Sequence, residues 1–356
     1  MTSRWGIPDI PGVLSAAELS LSAQHLAALQ RSSGMIPWFP GGHCDPWNHV
    51  ESAMALDIAG MYDEAHRAYR WLAEIQRPDG SWHNYYLVDD DGDRTVSEAK
   101  LDTNVCAYVA TGVLHHILNA PSIDIADRAI AEFWPVVRNA LDWVLGQRRS
   151  DGLVLWAVEP DDQPWDYALL TGTSSIQHSL RCGAEVAAMA GEDRIEWRES
   201  ASLMRRAVAD RPDAFEPKER WAMDWYYPVL TGALDPHEGK CRLAAGWPVF
   251  IMEGLGSRCV SDEPWVTASE TAEASIAHAA VGDIDAAASL LAWTRSHRRD
   301  DGSYWTGIVH PDNIVFPDAE HTSYTAAAVI LAADAITGTT PGSRLFTVDG
   351  LGVLGH

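Results

Sequence analysis

Apolar residues recur along most of the chain at spacings of three and four positions, the period of an amphipathic helix. Three stretches, 68–82, 140–156 and 290–305, share one pattern: a periodic helix runs into arginines, an Asp-Gly pair and then a tryptophan. Arginine in a last helical turn suits the negative end of the helix dipole, and glycine supplies the positive φ that stops the helix. The repeated pattern predicts a fold built from similar helix–turn–helix units.

Each turn leads into a polar, aromatic loop and then into a helix rich in Ala, Gly, Ser and Thr, whose small side chains let helices pack closely. These helices are predicted to form an inner layer, and they begin near Asp45, Asp102, Thr171, Asp224, Glu263 and Glu320. Outer helices are predicted at 15–31, 62–76, 127–147, 195–209, 241–253 and 284–297. Twelve alternating helices predict an all-α fold, an (α/α)6 toroid of six helical hairpins. We expect one domain over residues 1–356, with 339–356 as an extended C-terminal tail.

The loops before the inner helices are predicted to meet at one mouth of the toroid, and each of the six carries a carboxylate. Two of them match, since Asp-Pro-Trp at 45–47 and Glu-Pro-Trp at 263–265 each place an acid before a proline. Asp is a good N-cap residue and Pro a favoured first helical residue, so Asp45 fits both capping and catalysis. Glu is a poorer cap, which favours a functional role for Glu263.

Hydrolysis of a glycosidic bond requires two carboxyl groups that flank it, one protonated and one ionised. Asp45 and Glu263 are the predicted catalytic pair, and the competing carboxylates are Asp102, Asp166, Asp224, Glu270 and Glu320. Tryptophan faces suit sugar rings, and several of the 16 tryptophans fall in or beside these loops, although an apolar terpene would suit them equally. The predicted substrate contacts are His43, Trp47, Glu51, Asp102, Trp165, Asp166, Asp224, Trp225, Trp265, Glu270, Glu320 and His321.

The excess of acidic over basic residues limits the classes of partner that the chain is expected to bind. With 26 Lys+Arg against 50 Asp+Glu, a formal charge of −24 repels nucleic acid and anionic membranes. Five scattered cysteines, no secretory signal and no long apolar run predict a cytoplasmic protein. No metal or cofactor is predicted, because zinc spacings and nucleotide-binding loops are missing from the sequence. The run Asp89, Asp90, Asp91 and Asp93 is interpreted as a solvated acidic turn.

The turns QRPDGSW, QRRSDG and HRRDDGSYW resemble the repeats of squalene cyclases and of protein prenyltransferase β subunits, which are also helical toroids. The DxDD acid motif of the cyclases and the zinc ligands of the transferases are missing, so this resemblance implies the architecture alone. A terpene or prenyl enzyme is therefore an alternative function. A non-catalytic carbohydrate-binding toroid, and a lyase or epimerase that uses Tyr226, Tyr227 or His321, are two more.

The placement of acids and tryptophans before the inner helices resembles that of six-hairpin glycoside hydrolases over most of the chain. The segment SSGMIPWFPGGHCDPWNHVESAMAL further resembles the small cytosolic hydrolases that mycobacteria use on methylated mannose polysaccharides. That resemblance implies internal cleavage of an α-1,4-linked, partly 3-O-methylated mannan, with Asp45 and Glu263 as acid and base. We expect inversion of configuration, for which the two carboxyl groups stand roughly 6.5–9.5 Å apart.

Overall fold

The computed structural model describes residues 5–88 and 94–347. The acidic run Asp89 to Asp93 and the end of the tail lie outside the described residues. No helix within the two described ranges is long and apolar enough to cross a membrane.

The described part of the chain holds twelve α-helices that alternate between two layers. The inner layer consists of α2 (Pro46–Ile58), α4 (Thr103–Leu118), α6 (Leu170–Met189), α8 (Ala222–Leu230), α10 (Ala268–Ala280) and α12 (Ser323–Thr337). The outer layer consists of α1 (Ala16–Leu29), α3 (Tyr62–Ile75), α5 (Ile123–Gly146), α7 (Ile195–Asp210), α9 (Pro236–Phe250) and α11 (Ile284–Trp293). Each inner helix contacts the next, and α12 contacts α2, so the ring closes. The predicted all-α toroid of six hairpins is confirmed.

Small residues on the inner helices allow this close packing. Ala326, Ala327 and Ala328 of α12 are fully buried, and Gly112 of α4 faces the two helices before it. A Cβ at Gly112 would overlap the side chain of Val50 on α2. The inner helices are therefore rich in alanine and glycine because small side chains allow neighbouring helices to pack closely.

The repeated turn has one backbone geometry. The N–H of Arg77 donates to the carbonyl of Ser81 at 2.9 Å, and the N–H of Gly80 donates back to Arg77. The same bonds recur at 149–153 and 299–303, as the sequence pattern predicts. A fourth copy at 31–35, which the sequence analysis did not identify, carries Gly34 but no aspartate. Arginine and a glycine with positive φ therefore define the turn more closely than the Asp-Gly pair does.

Short strands are added between the hairpins. They are β1 (Tyr85–Val88) with β2 (Arg94–Glu98), β3 (Leu101–Asp102) with β4 (Ala157–Val158), and a five-stranded antiparallel sheet of β5 (Ile251–Met252), β6 (Gly256–Arg258), β7 (Trp265–Thr267), β8 (Gly307–Val309) and β9 (Ile314–Phe316). Strand β7 stands where the sequence pattern predicts the start of the fifth inner helix at Glu263. That helix begins instead at Ala268, because 265–267 pairs with β6 and β8.

The described part of the C-terminal tail, which ends at Thr347, lies at the end of the toroid opposite the mouth. Residues Pro341–Phe346 form a 3-10 helix that contacts α4, α10 and α12, so this part of the predicted extended tail is helical. A ring nitrogen of His178 lies 2.7 Å from the carbonyl of Leu345, and the ring of Phe346 stacks on the same histidine. The apolar pair Leu345 and Phe346 therefore fills the bottom of the ring.

The turn glycines give a test of this architecture. Gly302 has a φ of +85°, and a Cβ there would lie 2.7 Å from the carbonyl of Leu21 on α1. Gly302→Ala is therefore expected to lower the free energy of unfolding by about 2 kcal/mol or more, measured by urea denaturation. Gly146→Ala, at the end of α5 with no atom within 4 Å of the added Cβ, is expected to be neutral or stabilising by up to about 1 kcal/mol. Equal losses in both variants would contradict the close approach at Gly302.

Candidate active site

A cleft of about 390 Å³ lies at the mouth, where the N-terminal ends of inner helices meet. Five carboxyl groups line it, which agrees with the prediction that acids from separate hairpins converge. The lining residues are Trp38, Asp45, Trp47, Asn48, Glu51, Asn84, Tyr85, Lys100, Asp102, Asn104, Val105, Trp156, Met223, Ser269, Glu270, Glu273 and Tyr324. Lys100 is the one basic residue among them.

Asp45 is the N-cap of α2 and also faces the cleft. Its Oδ1 accepts the backbone N–H of Asn48 at 3.0 Å. Its Oδ2 accepts the indole N–H of Trp38 at 2.6 Å and the side-chain amide of Asn48 at 2.7 Å. Burial raises the pKa of this carboxyl, although the hydrogen bonds oppose the shift. Capping and exposure to the cleft are therefore combined in a single side chain.

Asp102 repeats this arrangement on the neighbouring inner helix. Its Oδ1 caps α4 by accepting the backbone N–H groups of Asn104 and Val105, at 2.9 and 3.2 Å. Its Oδ2 accepts the indole N–H of Trp156 at 2.6 Å. Burial raises the pKa of Asp102 to about 6, so its carboxyl changes charge near neutral pH. Asp45 and Asp102 are thus two indole-bound caps on one side of the cleft.

Glu270 enters the cleft from the fifth hairpin, on the first turn of α10. The carboxyl is half-buried, and within the described chain its one hydrogen bond runs from the Ser269 hydroxyl to Oε2, at 2.7 Å. Tyr324 lies near both Glu270 and Asp45: burial raises the pKa of its phenol, and the charges of these two carboxylates raise it further. Tyr324 therefore lines the cleft close to carboxylates from two different hairpins.

Glu263, the predicted partner of Asp45, does not belong to the cleft lining. It is half-buried in the loop before β7, in the sheet above the fifth hairpin. Pro264, the next residue, accepts a backbone hydrogen bond from His310 at 3.1 Å. Glu270, which belongs to the same hairpin as Glu263, is therefore the residue that lines the cleft together with Asp45.

Two further carboxyls, Glu51 and Glu273, form the floor of the cleft. Each is the sixth residue of its helix, and they are 4% and 8% exposed. The indole of Trp47 donates to Glu51 at 3.0 Å, and the Tyr226 hydroxyl donates to Glu273. Burial raises the pKa of both, and the charge of Glu273 raises that of Glu51 further. No Lys or Arg in the described ranges pairs with either, so this floor favours a retained proton.

The remaining predicted contacts lie outside the lining. His43 packs behind the cleft against Trp38, with ring centroids 4.2 Å apart, and Trp165 packs edge-on against Trp156 at 4.5 Å. Asp224 and Trp225 line a separate groove beside the cleft. The other predicted contacts that do not line the cleft are Asp166, Trp265, Glu320 and His321.

Sequence reasoning missed Glu273, Tyr324 and the role of Trp156. Glu273 lies in an alanine-rich helix and looks like a surface acid, and its match to the helical position of Glu51 appears only when α10 is known to begin at Ala268. Trp156 marks the end of a repeated turn in the sequence. Its indole bond to Asp102 depends on a contact across 54 positions, which no local pattern reveals.

Comparison with curated proteins gives a clear relative. The chain is 45% identical over 341 residues to the MMP endo-(1,4)-3-O-methyl-α-D-mannosidase of Mycolicibacterium hassiacum, covering 96% of this chain and 92% of that protein. The chain belongs to the same family. No protein-family model matches the sequence.

Two solved glycosidase structures resemble the fold of this chain. A wild-type glycosidase has a TM-score of 0.70 over 91% of this chain and 98% of its own, at 14% identity. A mannosylglycerate hydrolase from Thermus thermophilus has a TM-score of 0.62 over 88% of this chain and 99% of its own, at 13% identity. At these identities the likeness concerns the fold alone.

Membership in the endomannosidase family selects among the functions that the sequence left open. The chain is a glycoside hydrolase, as the six-hairpin resemblance implied, rather than a terpene or prenyl enzyme or a non-catalytic toroid. A lyase or epimerase is likewise disfavoured. The resemblance to mycobacterial hydrolases of methylated mannose polysaccharides is confirmed by the relative in Mycolicibacterium hassiacum.

The buried cap Asp102 predicts a pH-dependent stability. Because its folded pKa is raised to about 6, the stability it contributes is present at low pH and is lost as pH rises through 6. The advantage of wild type over Asp102→Asn in free energy of unfolding is therefore expected to fall by about 1 kcal/mol between pH 5 and 7. Asp151→Asn is the control: hydrogen bonding to Arg149 lowers the pKa of Asp151 to about 2, so its effect stays constant over that range. A constant effect in both variants would contradict the shift at Asp102.

Proposed function

We propose that this protein hydrolyses an α-(1,4)-linked, 3-O-methylated mannose polysaccharide at internal bonds, in the cytoplasm and with inversion of configuration. The substrate class rests on the name of the relative in Mycolicibacterium hassiacum. The cytoplasmic location is supported by five cysteines that are all free, as expected in a reducing compartment. The observation that carries the chemistry is the convergence of carboxyl groups from separate hairpins in one cleft among indole rings.

The proposed catalytic pair is Asp45 and Glu270. Asp45 caps α2 and Glu270 lies on α10, and both helices contact α12, whose Tyr324 lines the same cleft. Asp45 is nearly buried and its pKa is raised, which favours the protonated form that a general acid requires. Glu270 is half-buried with a carboxyl oxygen that no described residue bonds, which suits a base that must reach a water molecule.

The hydrolysis then proceeds in a single displacement. Glu270 takes a proton from water, whose oxygen bonds to the anomeric carbon as the glycosidic bond breaks. Asp45 gives its proton to the departing sugar oxygen, so the acid ends ionised and the base ends protonated. Attack from the face opposite the leaving sugar inverts the anomeric centre.

The lining of the cleft suits a methylated sugar. Trp38, Trp156 and Tyr324 offer half-buried aromatic surfaces, and Met223 adds an apolar side chain. An O-methyl group removes a hydroxyl donor and adds apolar surface, so aromatic walls bind it without leaving a buried donor unpaired. The carboxyl groups below remain available to the free hydroxyls of the same ring.

The pair is tested by isosteric amides. Glu270→Gln and Asp45→Asn are each expected to lower kcat on the methylated polysaccharide by about 100-fold or more, because each removes one proton-transfer group. Turnover is measured by mass spectrometry of the released oligosaccharides. Glu263→Gln is the matched control on the same hairpin and is expected to retain activity, since Glu263 does not line the cleft. Loss of turnover in Glu263→Gln, with activity kept in Glu270→Gln, would replace Glu270 by Glu263 in the pair.

The stereochemical outcome is a separate test. Proton NMR of a reaction on an α-linked substrate is expected to show the β-anomer of the new reducing end first, with the α-anomer growing in by mutarotation. A first-formed α-anomer would mean retention and would require one carboxylate to act as a nucleophile. Products of intermediate length early in the reaction support internal cleavage, whereas release of single sugars alone would contradict it.

A further inference from the structure

A second groove, of about 690 Å³, lies beside the cleft between the third and fourth hairpins. Its walls come from the end of α7, the irregular segment that follows, the first turn of α8 and the last turns of α9. Its lining residues include Phe215, Lys218, Asp224, Trp225, Arg242 and Ala245.

Asp224 and Arg242 place two opposite charges in this groove without forming an ion pair. Asp224 is 8% exposed, and its Oδ1 accepts the hydroxyl of Thr171 at 2.5 Å, while its Oδ2 has no hydrogen-bond partner among the described residues. The Arg242 guanidinium donates to the carbonyls of Asp224 and Trp225, at 2.6 and 2.9 Å. A nearly buried carboxylate oxygen and a fixed guanidinium thus face the groove as acceptor and donor.

The charge of the groove selects a neutral ligand. Four acids line it, Asp213, Glu216, Glu219 and Asp224, against the two bases Lys218 and Arg242. This excess of negative charge disfavours phosphates and carboxylates. Phe215, Trp225 and Phe250 add apolar walls. Convergent donors and acceptors between apolar walls suit a neutral, polyhydroxylated molecule.

The groove adjoins the active-site cleft along α8. Met223 lines the cleft, and the next two residues of α8 line the groove. On the other side, Trp156 of the cleft stacks on Tyr167 at 5.7 Å, and the Lys218 ammonium lies 5.8 Å from the centre of the same tyrosine ring. Tyr167 therefore lies between Trp156 of the cleft and Lys218 of the groove.

We infer that the groove is a second sugar-binding site, which holds a distal part of the polysaccharide chain whose scissile bond lies in the cleft. This inference rests on the proposed function, because an internally cleaving hydrolase must hold chain on both sides of the bond it breaks. The groove would then favour long substrates over short ones, by binding sugars that a short substrate lacks.

The helix α9 provides a matched pair of variants. Another face of this helix borders a different groove of about 680 Å³, which includes Lys240, Trp247 and His278 and shares no lining residue with the groove beside the cleft. Ala245 lines the groove beside the cleft, Ala244 lines the other one, and both are exposed. Ala245→Trp and Ala244→Trp therefore make the same chemical change in two different grooves bordered by one helix.

The test compares kcat/KM on the full-length methylated polysaccharide with kcat/KM on an oligosaccharide only long enough to span the cleft. In Ala245→Trp the ratio of long to short is expected to fall about tenfold, because the indole fills the groove. In Ala244→Trp the ratio is expected to match that of wild type. Lys218→Ala, which leaves α9 unchanged, is expected to lower the ratio as well, and thermal unfolding checks that all three variants fold.

The outcomes distinguish failure of the second sugar-binding site from failure of the proposed hydrolase function. If wild type cleaves both substrates and the Ala245→Trp and Lys218→Ala ratios match that of wild type, the groove does not bind the chain and the inference fails while the proposed function stands. Equal falls in Ala245→Trp and Ala244→Trp would likewise overturn it, since the effect would not depend on the groove. If wild type cleaves neither substrate, the proposed function itself fails.

Discussion

The first turn of an α-helix has backbone N–H groups with no partner inside the helix, and six inner helices present such turns to one mouth. At α2 and α4 the partners are the carboxylates of Asp45 and Asp102, whose remaining oxygens face the cleft. Helix capping thus fixes the position of two of the five carboxyl groups in the site. The indoles of Trp38 and Trp156 hold the outer oxygens, so each cap has one orientation.

Burial without an ion-pairing Lys or Arg side chain among the described residues favours the protonated form of the two carboxyl groups on the floor of the cleft. Glu51 and Glu273 lie below the caps, nearly buried and bonded by Trp47 and Tyr226. An ionised carboxylate in such a place loses hydration, so the neutral form is favoured and can donate a hydrogen bond or a proton. Indole and phenol groups satisfy the carboxyl oxygens while adding no positive charge. Trp47 and Tyr226 therefore bond the buried acids of the floor, whereas Trp38 and Trp156 bond the caps and form walls of the cleft.

Sequence patterns predicted the structural features that depend on residues close together in the chain. The turn glycines, the alternation of helices, the cap at Asp45 and the helix start near Asp102 follow from periodicity and helix termini, and the structure has them close to the expected positions. Glu263 shows the limit of such patterns. Its Glu-Pro-Trp sequence imitates the start of α2, but Trp265 enters a strand whose partners lie at 256–258 and 307–309. Which strands pair over such separations depends on the folded toroid, and local sequence patterns do not reveal it.

The fourth hairpin connects irregularity with the proposed second sugar site. Four prolines between 211 and 240 predict a broken helix, and α8 is indeed only nine residues long, with Pro228 inside it. The residues from Pro212 to Glu219 do not continue α7, because proline removes a backbone donor and clashes with the preceding turn. Apart from one short 3-10 turn at Pro212–Ala214 they run as an irregular wall of the second groove. A regular hairpin here would pack α7 and α9 more closely and leave less space between them. The feature that makes this segment hardest to predict is therefore also the one that opens the groove beside the cleft.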